Sequence, residues 1–177
     1  GFSFRWYASA WQNAAVKEAA ARSLTLAAVA ATVATASGVL FALATTRTRP
    51  WKGQGLALAV VNQPLMVPEI VTAVGLLSFF SVLKVTTGYT GMLYLVVAHS
   101  AFCIPFAYMP VRARLKGMDL SLEQAGADLY ARPVKVFRHI TLPQLWPGLL
   151  SGWMLAFVIS LDNADITEIG KSAGHEN

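Results

Sequence analysis

The chain has 177 residues, 55% of them hydrophobic and only 13% charged, with a formal net charge of +5 and a mean hydropathy of +0.52. Soluble domains carry roughly a quarter charged residues, so an ordinary water-soluble globular protein is excluded. Cys103 is the single cysteine, which excludes a disulfide framework or a cysteine metal cluster within the chain. The basic excess lies in loops beside apolar runs and needs no nucleic-acid partner.

The chain opens with Phe2, Phe4, Trp6, Tyr7 and Trp11 ahead of a polar helical stretch. Aromatic side chains with a polar handle favour the headgroup level, so residues 1–23 read as an interfacial approach to a membrane. A helix needs about 20 mostly apolar residues to cross hydrocarbon, and the charges mark off four such spans. The first, between Arg22 and Arg47, is uncharged. The second lies between Lys52 and Lys84 with Glu69 as its one charge, the third between Lys84 and Arg112 with His99 inside, and the fourth runs from Leu142 to Leu161 and ends at Asp162. None has the pattern of an N-terminal signal peptide.

Most of the 14 basic residues fall in two loops, Arg47, Arg49 and Lys52 in one and Arg112, Arg114, Lys116, Arg132, Lys135 and Arg138 in the other. Positive loops stay cytoplasmic, so both chain ends lie on the outer side. With Gly1 as first residue, the expectation is a fragment, a single transmembrane domain over residues 1–177 of an all-α integral membrane protein.

In the second span, Pro64 and Pro68 each remove a backbone donor and clash with the preceding turn, which predicts a break. Glu69 then stands in the first turn of the restarted helix, where free amides and the helix dipole favour a carboxylate. A break at membrane depth also lines cavities, and an acid there marks a cation path; the two roles are compatible. In the third span, His99 is expected to bond to a neighbouring helix and Pro105 to bend the backbone. His99 and Cys103 share a face at i, i+4, but no second acid or metal partner completes a catalytic set.

The long basic loop has structure of its own. Ser121 and Gln124 fit a capping box with Glu123 in the first turn, which predicts a helix from Leu122 with Leu122, Ala125, Gly126 and Leu129 as a narrow stripe. Arg132-Pro133 ends it, Pro133 opens a second short helix carrying Val134 and Phe137, and Thr141 and Pro143 launch the fourth span. The expected product is two short cytoplasmic helices at an angle, tied by a short linker to a membrane helix. Basic amphipathic helices can lie on the bilayer surface. The small residues Ala125 and Gly126 suit the close approach of another protein better.

This stretch resembles the EAA loop of ABC-importer permeases, Glu-Ala-Ala, three residues, Gly, nine residues, then Ile-x-Leu-Pro. Gln124, Ala125 and Gly126 fall on the first triplet, Tyr130 on the glycine, and Ile140, Leu142 and Pro143 on the end; Asp128, Leu129 and Ala131 also match. The chain departs from the pattern at Gln124, Gly126 and Tyr130. Elsewhere "AHSAFCIPF", "VRARLKGMD" and "SLDNADITE" look like the spermidine/putrescine-type permeases.

The resemblance implies a type I ABC-importer permease bundle in a bacterial inner membrane, with four spans here of a six-span subunit. Implied partners are a cytoplasmic ATPase dimer, a second identical or homologous permease subunit and a periplasmic substrate-binding protein. ATP would bind the ATPase, leaving this chain without cofactor, metal or catalytic residues; it contains no Gly-rich phosphate loop. The coupling helices would span 119–141, with Glu123, Gln124, Ala125, Gly126, Asp128, Leu129, Tyr130, Phe137, Ile140, Leu142 and Pro143 as coupling residues. For a polyamine or similar small cation, Glu69, Asp162 and Asp165 are the path candidates, with Glu168 nearby, since acids at a low-dielectric mouth attract amines. An ion-coupled secondary transporter or channel is the rival reading, distinguished by independence from ATP.

Overall fold

The computed structural model describes residues 14–88 and 92–173; the aromatic group at residues 2–11 lies outside them. The described elements are helical: α1 (Ala14–Thr46), α2 (Gln54–Met66), α3 (Glu69–Thr87), α4 (Met92–Lys116), α5 (Ser121–Asp128), α6 (Pro133–Val136), a π-helical turn (Phe137–Thr141) and α7 (Leu142–Ala173). Among the described residues, three helical stretches are long and apolar enough to cross a membrane, Val16–Thr46, Met92–Lys116 and Pro133–Asn163. They correspond to the first, third and fourth predicted spans. The second span is broken as its prolines predict: α2 ends at Met66 with Pro64 inside it, Pro68 is extended, and Glu69 is the first residue of α3.

α1, α4 and α7 pack on one another as a three-helix bundle. In hydrocarbon the lipid tails compete equally for apolar side chains, so close van der Waals contact between backbones decides the packing. The sequence supplies small residues where it occurs. Ala27, Ala31, Ala34 and Ala42 are fully buried on α1, Cys103 and Ala107 on α4, and Ala156 on α7. A methyl group added at Gly152 of α7 would stand 2.9 Å from the Ala107 carbonyl oxygen of α4, nearer than side-chain carbons ordinarily come.

Two buried side chains find polar partners across the helices. His99 Nδ1 lies 3.1 Å from Ser160 Oγ, the neighbouring-helix bond expected for it, and Cys103 Sγ lies 3.5 Å from the Ala156 carbonyl oxygen. Toward the basic end, Tyr108 packs on Phe41 with ring centroids 5.0 Å apart, shares a hydrogen bond of 3.1 Å with Thr45, and has the Arg112 guanidinium 5.6 Å from its ring centre. α2 rests against α4, while Val71, Val74, Phe79, Val82 and Val85 leave much of α3 exposed.

Two local expectations are corrected. The second short helix is not a separate arm on a linker: α6, the π turn and α7 form one unbroken rod from Pro133 onward. Pro143 lacks an N–H, and its ring would clash with the carbonyl four residues back in a regular α-helix. The wider turn at Phe137–Thr141, closed by the Leu142 N–H donating to the Phe137 carbonyl, spreads the backbone at that point and lets the helix continue.

The capping box is also absent. Ser121 donates both its amide (2.9 Å) and its hydroxyl (2.7 Å) to the carboxylate of Asp119. A charged acceptor outcompetes a neutral one, so Asp119 organises the helix start and Ser121 becomes its first residue. These bonds, the amide's foremost, hold the Asp119 carboxyl below its usual range. Their contribution is therefore present above the unfolded carboxyl pKa and is lost as pH falls through the lowered value.

Candidate functional site

The basic end of the bundle carries an elbow made of α5, the loop after it, α6 and the π turn. α5 has only eight residues, too few to hold itself helical in water. Contacts to the bundle fix it. Gly126 is buried, and an added Cβ there would meet Ile140 Cδ1 at 3.0 Å and Val136 Cγ2 at 3.2 Å, so α5 seats directly on the rod. Oε1 of Glu123 accepts two hydrogen bonds of 3.0 Å, from the Arg47 guanidinium just past the end of α1 and from the Thr141 hydroxyl of the π turn. The Arg47 and Glu123 side chains are only 21% and 20% exposed.

α5 ends in a Schellman turn, in which the Ala131 N–H reaches the Gly126 carbonyl at 3.1 Å and the Tyr130 N–H reaches the Ala127 carbonyl at 2.9 Å. That turn needs a left-handed residue, and Tyr130 takes it with φ 57°. The glycine position of the EAA pattern thus has a conformational origin, and here a tyrosine bears its strain. Tyr130→Gly is expected to stabilise the protein by about 1 kcal/mol. Thermal unfolding of the purified variant checks this; a lower unfolding temperature would contradict it.

The predicted coupling residues separate into two groups. Glu123, Gly126, Phe137, Ile140 and Leu142 are at least partly buried within the chain, and Phe137 lines an open apolar groove between α1 and α7. Gln124, Ala125, Asp128, Leu129, Tyr130 and Pro143 are exposed. Gly126 therefore does not form one outward small-residue face with Ala125. The Leu122–Leu129 stripe is not a buried face either. Leu129 (82% exposed), Tyr130 (97%) and Val134 (77%) make an apolar knob at the elbow tip, and Leu122 at the start of α5 is also exposed.

Arg47 and Thr141 went unassigned in the sequence. Their only signal is an arginine closing an apolar span and a threonine opening another. Neither reveals a pairing with Glu123 across 76 and 18 positions. Among the path candidates, Asp162 is exposed near the C-terminal end of the third long membrane-capable stretch, and Glu69 heads α3 at the break in the second span. The side chain of Asp165 lies outside the described residues.

Residues 19–172 match the family described as binding-protein-dependent transport system inner membrane component. The chain is 37% identical to the putrescine transport system permease protein PotI of Escherichia coli K12, covering 98% of this chain and 63% of that protein. It is 36% identical to the spermidine/putrescine transport system permease protein PotC of Haemophilus influenzae, covering 99% of this chain and 67% of that protein. Against PotC of Escherichia coli K12 it is 34% identical over 99% of this chain and 65% of that protein. It thus spans about two thirds of the length of these relatives. The helical bundle with its elbow, the EAA register and the match over most of the chain converge: the protein belongs to the binding-protein-dependent transport system inner-membrane components, a family of multi-pass permeases.

Proposed function

We propose that the chain is the membrane-spanning part of an ATP-driven importer for polyamines or closely similar small cations. Its solute is delivered by a periplasmic binding protein, and its energy comes from a cytoplasmic ATPase dimer. The observation that carries this reading is the two-sided elbow. Its root is fixed to the bundle through Gly126 and Glu123, while its tip offers Leu129, Tyr130 and Val134 to a protein partner. An apolar knob on a braced base can receive a push and pass it on; a floppy loop could not. A second permease subunit, identical or homologous, would complete the pathway. The likeness to putrescine and spermidine/putrescine permeases supports the solute class.

The test is reconstitution of the full-length permease with its co-purifying partners. Crosslinkers at residues 122–134 should capture an ATP-hydrolysing subunit, and putrescine uptake should stop without ATP. Uptake that continues without ATP would favour an ion-coupled transporter instead, for which the break at Val67–Pro68 ahead of Glu69 is the supporting feature.

Asp162, exposed where the apolar run ends, serves in this reading to attract an amine at the outer mouth. Asp162→Asn is expected to weaken apparent putrescine affinity roughly tenfold with ATPase assembly intact, the scale of one partly solvated charge contact. Unchanged uptake kinetics would remove Asp162 from the path.

A further inference from the structure

We infer that Glu123 is a positioning residue that ties the motion of α5 to α1 as well as to the rod of α6 and α7, with Arg47 and Thr141 as its two anchors. The inference rests on the importer reading and adds a second route for the push. One route is the seat of Gly126 on Val136 and Ile140, which joins α5 to the rod. The other is the carboxylate oxygen that accepts at once from Arg47 at the end of α1 and from Thr141 in the π turn.

The geometry gives the node its stiffness. Both bonds are 3.0 Å long, and the ion pair is four-fifths shielded from water, which strengthens it relative to an exposed pair. Thr141 is itself buried. The π turn lets two successive residues face α5, Ile140 meeting Gly126 and Thr141 meeting Glu123. The end of α1 is in turn held to α4 through Phe41, Thr45 and Tyr108. A displacement of α5 thereby reaches all three helices of the bundle together.

The test uses the full-length permease in its membrane complex, with spin labels at the exposed Leu120 and Arg49. The unaltered protein should give one narrow distance distribution. In Glu123→Gln and Arg47→Gln the distribution should broaden, and putrescine uptake per ATP hydrolysed should fall on the order of tenfold while hydrolysis continues, the scale of one charge-assisted contact. The double variant should be no worse than either single one, because both remove the same link. The exchange Arg47→Glu with Glu123→Arg should recover much of the narrow distribution, and Thr141→Val should give a milder broadening. A distribution unchanged in Glu123→Gln, or an unchanged uptake per ATP, would overturn the inference. The importer reading fails separately, on ATP-independent uptake by the unaltered protein, and the label distances judge the link without reference to ATP.

Discussion

Gly152→Leu is expected to lower the unfolding temperature of the purified permease by roughly 10 °C, or to prevent its recovery as a monodisperse species. The obstacle at Gly152 is the carbonyl of Ala107, 2.9 Å from where a Cβ would stand, with the Ala107 Cα at 3.4 Å. A flexible side chain could swing aside; a backbone carbonyl inside α4 cannot move without breaking its helix. α4 and α7 would have to separate, and the contacts of Cys103, Ala107 and Ala156 would open with them. Forced overpacking of this kind costs about 3 kcal/mol, and each kcal/mol moves the transition of a chain this size by a few degrees. Leu150→Ala, two residues away at a largely exposed position, is the control and should shift it little. Equal behaviour of the two variants would mean that the α4–α7 contact does not limit stability.

Gly126→Leu and Ala125→Leu, adjacent changes of the same size, should fail in different ways. At Gly126 the new side chain strikes Ile140 and Val136 and lifts α5 off the rod. In the proposed importer the push from the ATPase would then have no firm path into the membrane, so putrescine uptake should fall at least about a hundredfold while ATP hydrolysis persists, the scale of losing a packed seat worth roughly 3 kcal/mol. At Ala125, which is exposed, the added bulk meets only a partner. Hydrolysis and uptake should fall together there, through weaker ATPase capture. Measuring both rates and the amount of co-purified ATPase separates the two outcomes. If Gly126→Leu loses its ATPase as Ala125→Leu does, the buried seat of Gly126 has no part in transmission.

Much of the architecture was legible because membrane crossing depends on local composition. The charges at Arg22, Arg47, Arg112 and Asp162 delimit the apolar stretches, and Pro64 with Pro68 marks the break before Glu69. The EAA spacing was legible because it is a pattern of residues, and the left-handed turn at Tyr130 gives its glycine position a conformational cause. What stayed hidden depends on choices between nearly equal local options or on distant partners. Ser121 and Gln124 satisfy a capping pattern, yet the nearby charge of Asp119 takes the Ser121 amide and hydroxyl. Pro133 and Pro143 read as punctuation between helices, yet one widened turn absorbs the second and leaves a single rod. Gly126 and Ala125 are neighbours of similar size, and only the position of Val136 and Ile140 turns one inward.

That single rod changes the scale of what the elbow can do. From Pro133 to Ala173 it extends roughly 60 Å at 1.5 Å per residue, about twice the thickness of the hydrocarbon layer. In the proposed importer, with a pivot near Pro133, it would act as a lever: a swing of about 5° would carry the far tip through roughly 5 Å. Under that proposal, a nudge too slight to reorganise the contacts at the elbow would suffice at the opposite end to admit or squeeze shut around a slender methylene chain.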